Sequence, residues 1–169
     1  MVSIEVASQA GACYGVERAL KMVTDAAEKG GEVQTLGPLI HNPLVVSDLE
    51  RHGVTVADDV EAATAPTVVI RSHGVVPAVV DRARARGLQV VDATCPYVKK
   101  VQHAAERLGR EGYRVIVVGE SGHPEVEGIL GHAQGAAVVG SVADLDHVEL
   151  GRKVGVVVQT TQSRSLLRE

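Results

Sequence analysis

The sequence predicts an α/β protein of two homologous lobes, each a small, mostly parallel sheet flanked by helices. Three observations lead there. Short Val-rich runs ending in Gly or a small polar residue alternate with helix-patterned segments along the whole chain. Aromatic residues make up only 2% of the 169 residues, three Tyr with no Phe or Trp, so Val, Leu, Ile and Ala must fill the core, as in a buried parallel sheet. The chain also repeats its own motifs at a fixed spacing.

In chain order, Val2 to Ala7 reads as a first strand, and Val16, Ala19, Leu20, Val23, Ala26 and Ala27 form one helix face that Gly30-Gly31 ends. Val33 to Leu36 reads as a strand, Pro43 to His52 as a helix, Thr67 to Ile70 as a strand, Pro77 to Arg86 as a helix and Gln89 to Val91 as a strand. Val98, Val101, Ala105 and Leu108 mark the next helix face, stopped by Gly112. Strands follow at Arg114 to Val118, Ala136 to Val139 and Val154 to Val158, with helices at Glu125 to Gly131 and Val142 to Val148. Strand and helix in alternation imply right-handed crossovers, with ligands at the carboxyl ends of the strands.

The repeat sets the domain organisation. Cys13-Tyr14-Gly15-Val16-Glu17-Arg18-Ala19 aligns with Cys95-Pro96-Tyr97-Val98-Lys99-Lys100-Val101, and each Cys opens a predicted helix. His41 lies 28 residues after Cys13, and His123 lies 28 residues after Cys95. A third landmark pairs Val68-Val69-Ile70-Arg71-Ser72-His73 with Val156-Val157-Val158-Gln159-Thr160-Thr161. These matches predict lobes over residues 1–94 and 95–169.

A net charge of -4 with scattered Lys and Arg leaves no footprint for nucleic acid or an anionic membrane. No apolar run approaches the roughly 20 residues of a spanning helix, and the N-terminus resembles no secretory signal, so a cytoplasmic protein is expected. Two cysteines are too few for a disulfide framework.

At a helix N-terminus, a cysteine sits where free N–H groups and the dipole favour the thiolate, the form that ligates metal or attacks an electrophile. Packing as a small hydrophobe is the alternative, which the repeat disfavours. His41, His73 and His123 each follow a predicted strand beside Pro or Gly, so three imidazoles face the strand-end crevice and suit a diphosphate or other small anion. Glu125, at the start of a helix in the same crevice, either delivers protons or complements the helix dipole. Thr160 and Thr161 either orient a hydroxyl-bearing ligand or simply end a strand, and Asp92 and Thr94 are expected to cap the helix after Cys95. Cys13, His41, Cys95 and His123 also make up a two-thiolate, two-imidazole set for zinc. A metal-free diphosphate-binding module is a further alternative.

Six ordered motifs, Gly11-Ala12-Cys13-Tyr14-Gly15-Val16-Glu17-Arg18-Ala19, Gly37-Pro38-Leu39-Ile40-His41-Asn42-Pro43, Arg71-Ser72-His73-Gly74-Val75, Asp92-Ala93-Thr94-Cys95-Pro96, Gly122-His123-Pro124-Glu125-Val126 and Gln159-Thr160-Thr161, resemble the 4-hydroxy-3-methylbut-2-enyl diphosphate reductase family. The resemblance implies a pseudo-threefold protein of three α/β lobes around a 4Fe-4S cluster held by one Cys from each lobe. It implies Cys13 and Cys95 as cluster ligands, His41, His73 and His123 as diphosphate contacts, Glu125 as proton donor, and Thr160 as the residue orienting the substrate hydroxyl. The implied reaction is reductive dehydroxylation of an allylic diphosphate, giving isopentenyl and dimethylallyl diphosphates in the methylerythritol phosphate pathway. A ferredoxin- or flavodoxin-like partner would supply the electrons. The family's third Cys and later Ser-x-Asn and Ser contacts belong to a third lobe. A third repeat would place its Cys near position 177, about one repeat beyond Cys95. The expectation is a chain lacking its third lobe, complemented by another chain or by a homodimer.

Overall fold

A computed structural model describes residues 3–8 and 10–169. Helix α1 (Tyr14–Glu28) leads into β1 (Val33–Leu36), α2 (Pro43–Arg51), β2 (Val54–Ala57), β3 (Thr67–Ile70), α3 (Pro77–Ala85) and β4 (Gln89–Asp92). The second half holds α4 (Pro96–Arg110), β5 (Arg114–Val118), α5 (Pro124–Leu130), β6 (Ala137–Val139), a 3-10 helix (Val142–His147), β7 (Val154–Val158) and α6 (Arg164–Arg168).

Two parallel sheets result, of order β2-β1-β3-β4 and β6-β5-β7. Each sheet carries apolar residues on both faces, which explains why its strands read as nearly continuous Val-rich runs. In the first sheet, Val33, Val54 and Val69 pack with Ala19 and Val23 of α1, while Leu36, Ala57 and Val68 pack with Ala83 of α3. In the second, Val115, Val117 and Val157 lie under Ala105 of α4 and Val126 and Ile129 of α5.

The lobes meet closely. A Cβ on Gly131 would come within 2.5 Å of Val76 Cγ1, and the N–H of Cys95 donates to the carbonyl of Ser72 at 2.9 Å. Gln102 of α4 is buried against Gly74, whose φ of +75° and 2.6 Å clearance to Gln102 Nε2 leave no room for a side chain.

Several expectations need correction. Of the predicted first strand, Val2 lies outside the described residues and Ser3 to Ala7 joins no ladder, with Ile4 and Val6 exposed. A short apolar run becomes a strand only beside a partner edge, and none of the described strands offers one there. The segment predicted as a helix over Val142 to Val148 is a 3-10 helix with a Ser141/Asp144 capping box. Strand β2 and helix α6 were not anticipated; each is a short element without a periodic stretch long enough to register. Among the described residues, no helix is long and apolar enough to cross a membrane.

Candidate functional site

The N-caps of the two 15-residue helices carry the thiols. Cys13 caps α1 and Cys95 caps α4, and neither side chain bonds the helix backbone, so both sulfurs stay available. They converge on Gly15. A Cβ built there would lie 2.6 Å from Cys95 Sγ and 3.9 Å from Cys13 Sγ, so only a residue without a side chain lets both sulfurs face the same space. The unpaired N–H groups of both first turns give that space a positive potential.

The histidines come from three strand ends. His41 and His73 have ring centroids 4.6 Å apart, and His123 lies 6.1 and 5.7 Å from them. Ser72 fastens this cluster to the thiols. Its N–H and its Oγ both donate to the carbonyl of Leu39, at 3.2 and 3.0 Å, and its own carbonyl accepts from the N–H of Cys95 at 2.9 Å. The loop of His41, the turn of His73 and the cap of α4 therefore share one buried anchor. Burial, with added repulsion from His41, Arg71 and His123, lowers the His73 pKa to about 4, so its ring is neutral at pH 7. Among the described residues, His73 Nδ1 and Arg71 Nε are buried without a hydrogen-bond partner, and burial also lowers the Arg71 pKa. The Nδ1 of His123 accepts from the N–H of Glu125 at 3.1 Å, which leaves Nε2 as the ring's donor.

Glu125 is 1% exposed, on the first turn of α5. Its Oε1 accepts from the Thr160 N–H at 2.7 Å and its Oε2 from the Thr160 hydroxyl at 2.9 Å. Gln159 holds that turn in place: its Oε1 accepts from Glu120 N at 2.9 Å and its Nε2 donates to Thr161 Oγ1 at 2.7 Å. Thr161 thus supports Gln159, and Thr160 alone of the pair reaches the carboxylate.

Cys13, Cys95, His41, His73, His123, Glu125 and Thr160 were all singled out from sequence, whereas Ser72, Arg71, Gln159 and Arg18 were not. Their only signal was membership of the repeated motifs, Arg71, Ser72 and Gln159 at strand ends and Arg18 on α1. Two readings are overturned. Among the described residues, no group of three or more His, Cys, Asp or Glu is placed to hold a metal ion, so the zinc set of Cys13, His41, Cys95 and His123 is not assembled. Nor do Asp92 and Thr94 cap α4. Asp92 instead accepts from Thr94 N at 3.0 Å and pairs with Lys99 at 2.6 Å, while Cys95 occupies the cap.

Fold and site together define a duplicated parallel α/β protein with thiols, three clustered imidazoles and a buried carboxylate at the carboxyl ends of its strands and the adjoining helix starts. The chain belongs to the LytB protein family, whose sequence model matches residues 4–169. A 4-hydroxy-3-methylbut-2-enyl diphosphate reductase of Geobacter sulfurreducens is 51% identical over 168 residues, covering 99% of this chain and 60% of the relative. The reductase of Aquifex aeolicus is 44% identical, covering 100% of this chain and 60% of its own length. A solved structure of (E)-4-hydroxy-3-methyl-but-2-enyl diphosphate reductase, described as the terminal enzyme of the non-mevalonate pathway, superposes with TM-score 0.87 at 43% identity, over 99% of this chain and 62% of that one. The Plasmodium falciparum reductase superposes with the same score at 28% identity, over 95% and 52%. The chain thus spans about 60% of the length of the curated relatives it matches.

Proposed function

We propose that this chain supplies two lobes, residues 1–94 and 95–169, of a 4-hydroxy-3-methylbut-2-enyl diphosphate reductase acting in the cytoplasm. The observation that carries the reading is the convergence of two uncapped thiols on Gly15, joined through Ser72 to a cluster of three imidazoles. Two soft donors flanking a position without a side chain fit an iron–sulfur centre better than a hard-cation site. Cys13 and Cys95 would hold a 4Fe-4S cluster on two sides, with the remaining ligand supplied from a complementing lobe. When bound, that cluster supplies electrons, delivered by a ferredoxin- or flavodoxin-like donor, and Lewis acidity.

The protein's own groups perform the rest. His123 presents an Nε2–H donor to an anion, and the rings of His41 and His73 lie beside it, so the three imidazoles would hold the diphosphate of an allylic substrate. The Thr160 hydroxyl stands between the crevice and Glu125, orienting a substrate hydroxyl and passing it a proton that the carboxyl group replaces. Two electrons and two protons enter, the allylic C–O bond breaks and water leaves.

The test is anaerobic reconstitution with iron and sulfide, for the native chain and for Cys95→Ser. A broad visible absorption with bound iron and sulfide, lost in the variant, is expected. A native chain that stays colourless and free of iron, both alone and mixed with the remainder of a relative, overturns the reading.

A further inference from the structure

Arg71 follows the last residue of β3 and stands two residues ahead of His73. Its side chain reaches the other histidine loop of the same lobe. A Cβ built on Gly37 would lie 2.7 Å from Arg71 Nη1 and 3.5 Å from its Cζ, so the guanidinium takes the room that a side chain after β1 would need. Gly37 has a φ of +70° and opens the loop Gly37-Pro38-Leu39-Ile40-His41. The backbone of Arg71 thus belongs to the loop that delivers His73, and its charge rests on the loop that delivers His41.

That charge has no protein partner. The residue is half-buried, and among the described residues its Nε bonds nothing and no carboxylate pairs with the guanidinium. Burial lowers its pKa with no carboxylate acting in the opposite direction. Two arginines of the same lobe are held differently: Arg82 pairs with Glu61 at 3.0 Å, and Arg86 donates to the carbonyls of Val60 and Ala63. A partly desolvated cation without a partner costs stability that an uncharged side chain of the same length would not. Such a cost is characteristic of a group whose partner is a ligand. The rings of His41, His73 and His123 lie within 6.1 Å of one another, so protonating one opposes protonating the next and the imidazoles alone gather little positive charge. Arg71 supplies a charge that does not titrate away, and it acts on the His73 ring.

We infer that Arg71 is a specificity-determining residue of the imidazole cluster, whose fixed charge makes the site prefer diphosphate to monophosphate. The inference rests on the reading of the three histidines as an anion site and needs no iron–sulfur centre. One positive charge attracts an anion in proportion to the anion's own charge, so it adds more to the affinity for diphosphate than to that for phosphate.

The experiment is titration calorimetry of the native chain, Arg71→Met and Arg71→Lys with inorganic diphosphate and with inorganic phosphate at pH 7.5. In Arg71→Met the ratio of the two affinities should fall by about tenfold, and Arg71→Lys, which keeps the charge, should retain most of the preference. The urea midpoint of Arg71→Met should be no lower than that of the native chain, because an unpartnered charge has been removed. Should Arg71→Met fail to fold, Arg71→Gln supplies the ratio for a neutral side chain. A ratio unchanged in the neutral variant, or lost equally in Arg71→Lys, would overturn the inference. A native chain that binds neither anion would overturn the anion site and the role of Arg71 with it, whereas a failure to take up iron would touch the proposed reaction alone.

Discussion

His73 is the residue whose environment departs most from its intrinsic chemistry. Its folded pKa of about 4 lies below the 6.5 of an unfolded ring. Between those values the unfolded chain binds more protons, so stability falls as pH drops from about 6.5 to about 4 and levels off below. His73→Gln should flatten this part of the profile in urea titrations across pH. Asp92 does not confuse the result. Although burial opposes it, hydrogen bonds from Lys99 and Thr94 hold its carboxyl below 3.8, so its contribution is lost only at lower pH. The same depression expects proton uptake when inorganic diphosphate binds near pH 6, because an anion raises the ring's pKa. Calorimetry in two buffers of different ionisation enthalpy measures that uptake, and a heat independent of buffer would remove His73 from the anion site. At Glu125, Thr160→Val leaves Oε2 buried without its hydroxyl donor and should cost about 1–3 kcal/mol in chemical denaturation. Thr160→Ser, which keeps the hydroxyl, should cost less.

Helices α1 and α4 show how an element turns a local rule around. Replacing a helical Gly with Ala ordinarily stabilises by about 1 kcal/mol. At Gly15 the new Cβ would sit 2.6 Å from Cys95 Sγ, so Gly15→Ala should instead destabilise by about 1–3 kcal/mol and displace the thiols. Urea midpoints measure the first effect, and loss of iron uptake on reconstitution measures the second. The sequence made most of this geometry legible, because α1 and α4 have long apolar faces and each Cys stands where a helix must begin. The seven side chains it singled out at the crevice lie on the loops that follow β1, β3, β4, β5 and β7, or at the start of α1 and α5. What it missed is local or long-range. Strand β2 is four residues long, and the 3-10 helix mimics α-helical spacing for one turn. Ser72 and Gln159 act through backbone partners 33 and 39 residues distant, which no periodicity records. The exposed run at Ile4 and Val6 failed for the complementary reason, since hydrophobicity alone does not supply a neighbouring edge.

At the scale of the molecule, two lobes with separate cores are coupled through a tight and specific seam. Each core cluster is built of residues from one lobe's own sheet and helices, and none crosses the seam. The seam is made of close approaches, Gly131 against Val76 and Gly74 and Gly128 around Gln102. The junction before α4 is not a loose linker: Ala93 and Thr94 are buried and the N–H of Cys95 is bonded to Ser72. The native chain should therefore unfold in one transition, with the seam transmitting the loss of either lobe. Gly131→Val forces Val76 aside while leaving both sheets intact, so it should uncouple them. The expected result is a lobe-dependent pattern of amide exchange, with strands β1–β4 and strands β5–β7 opening at different urea concentrations, where the native chain opens them together. The thiols and imidazoles come from both sides of the seam, so the same variant should also weaken diphosphate binding without touching a histidine. Coincident opening of both sheets in the variant, with diphosphate affinity unchanged, would mean that the lobes are held by something other than this close packing.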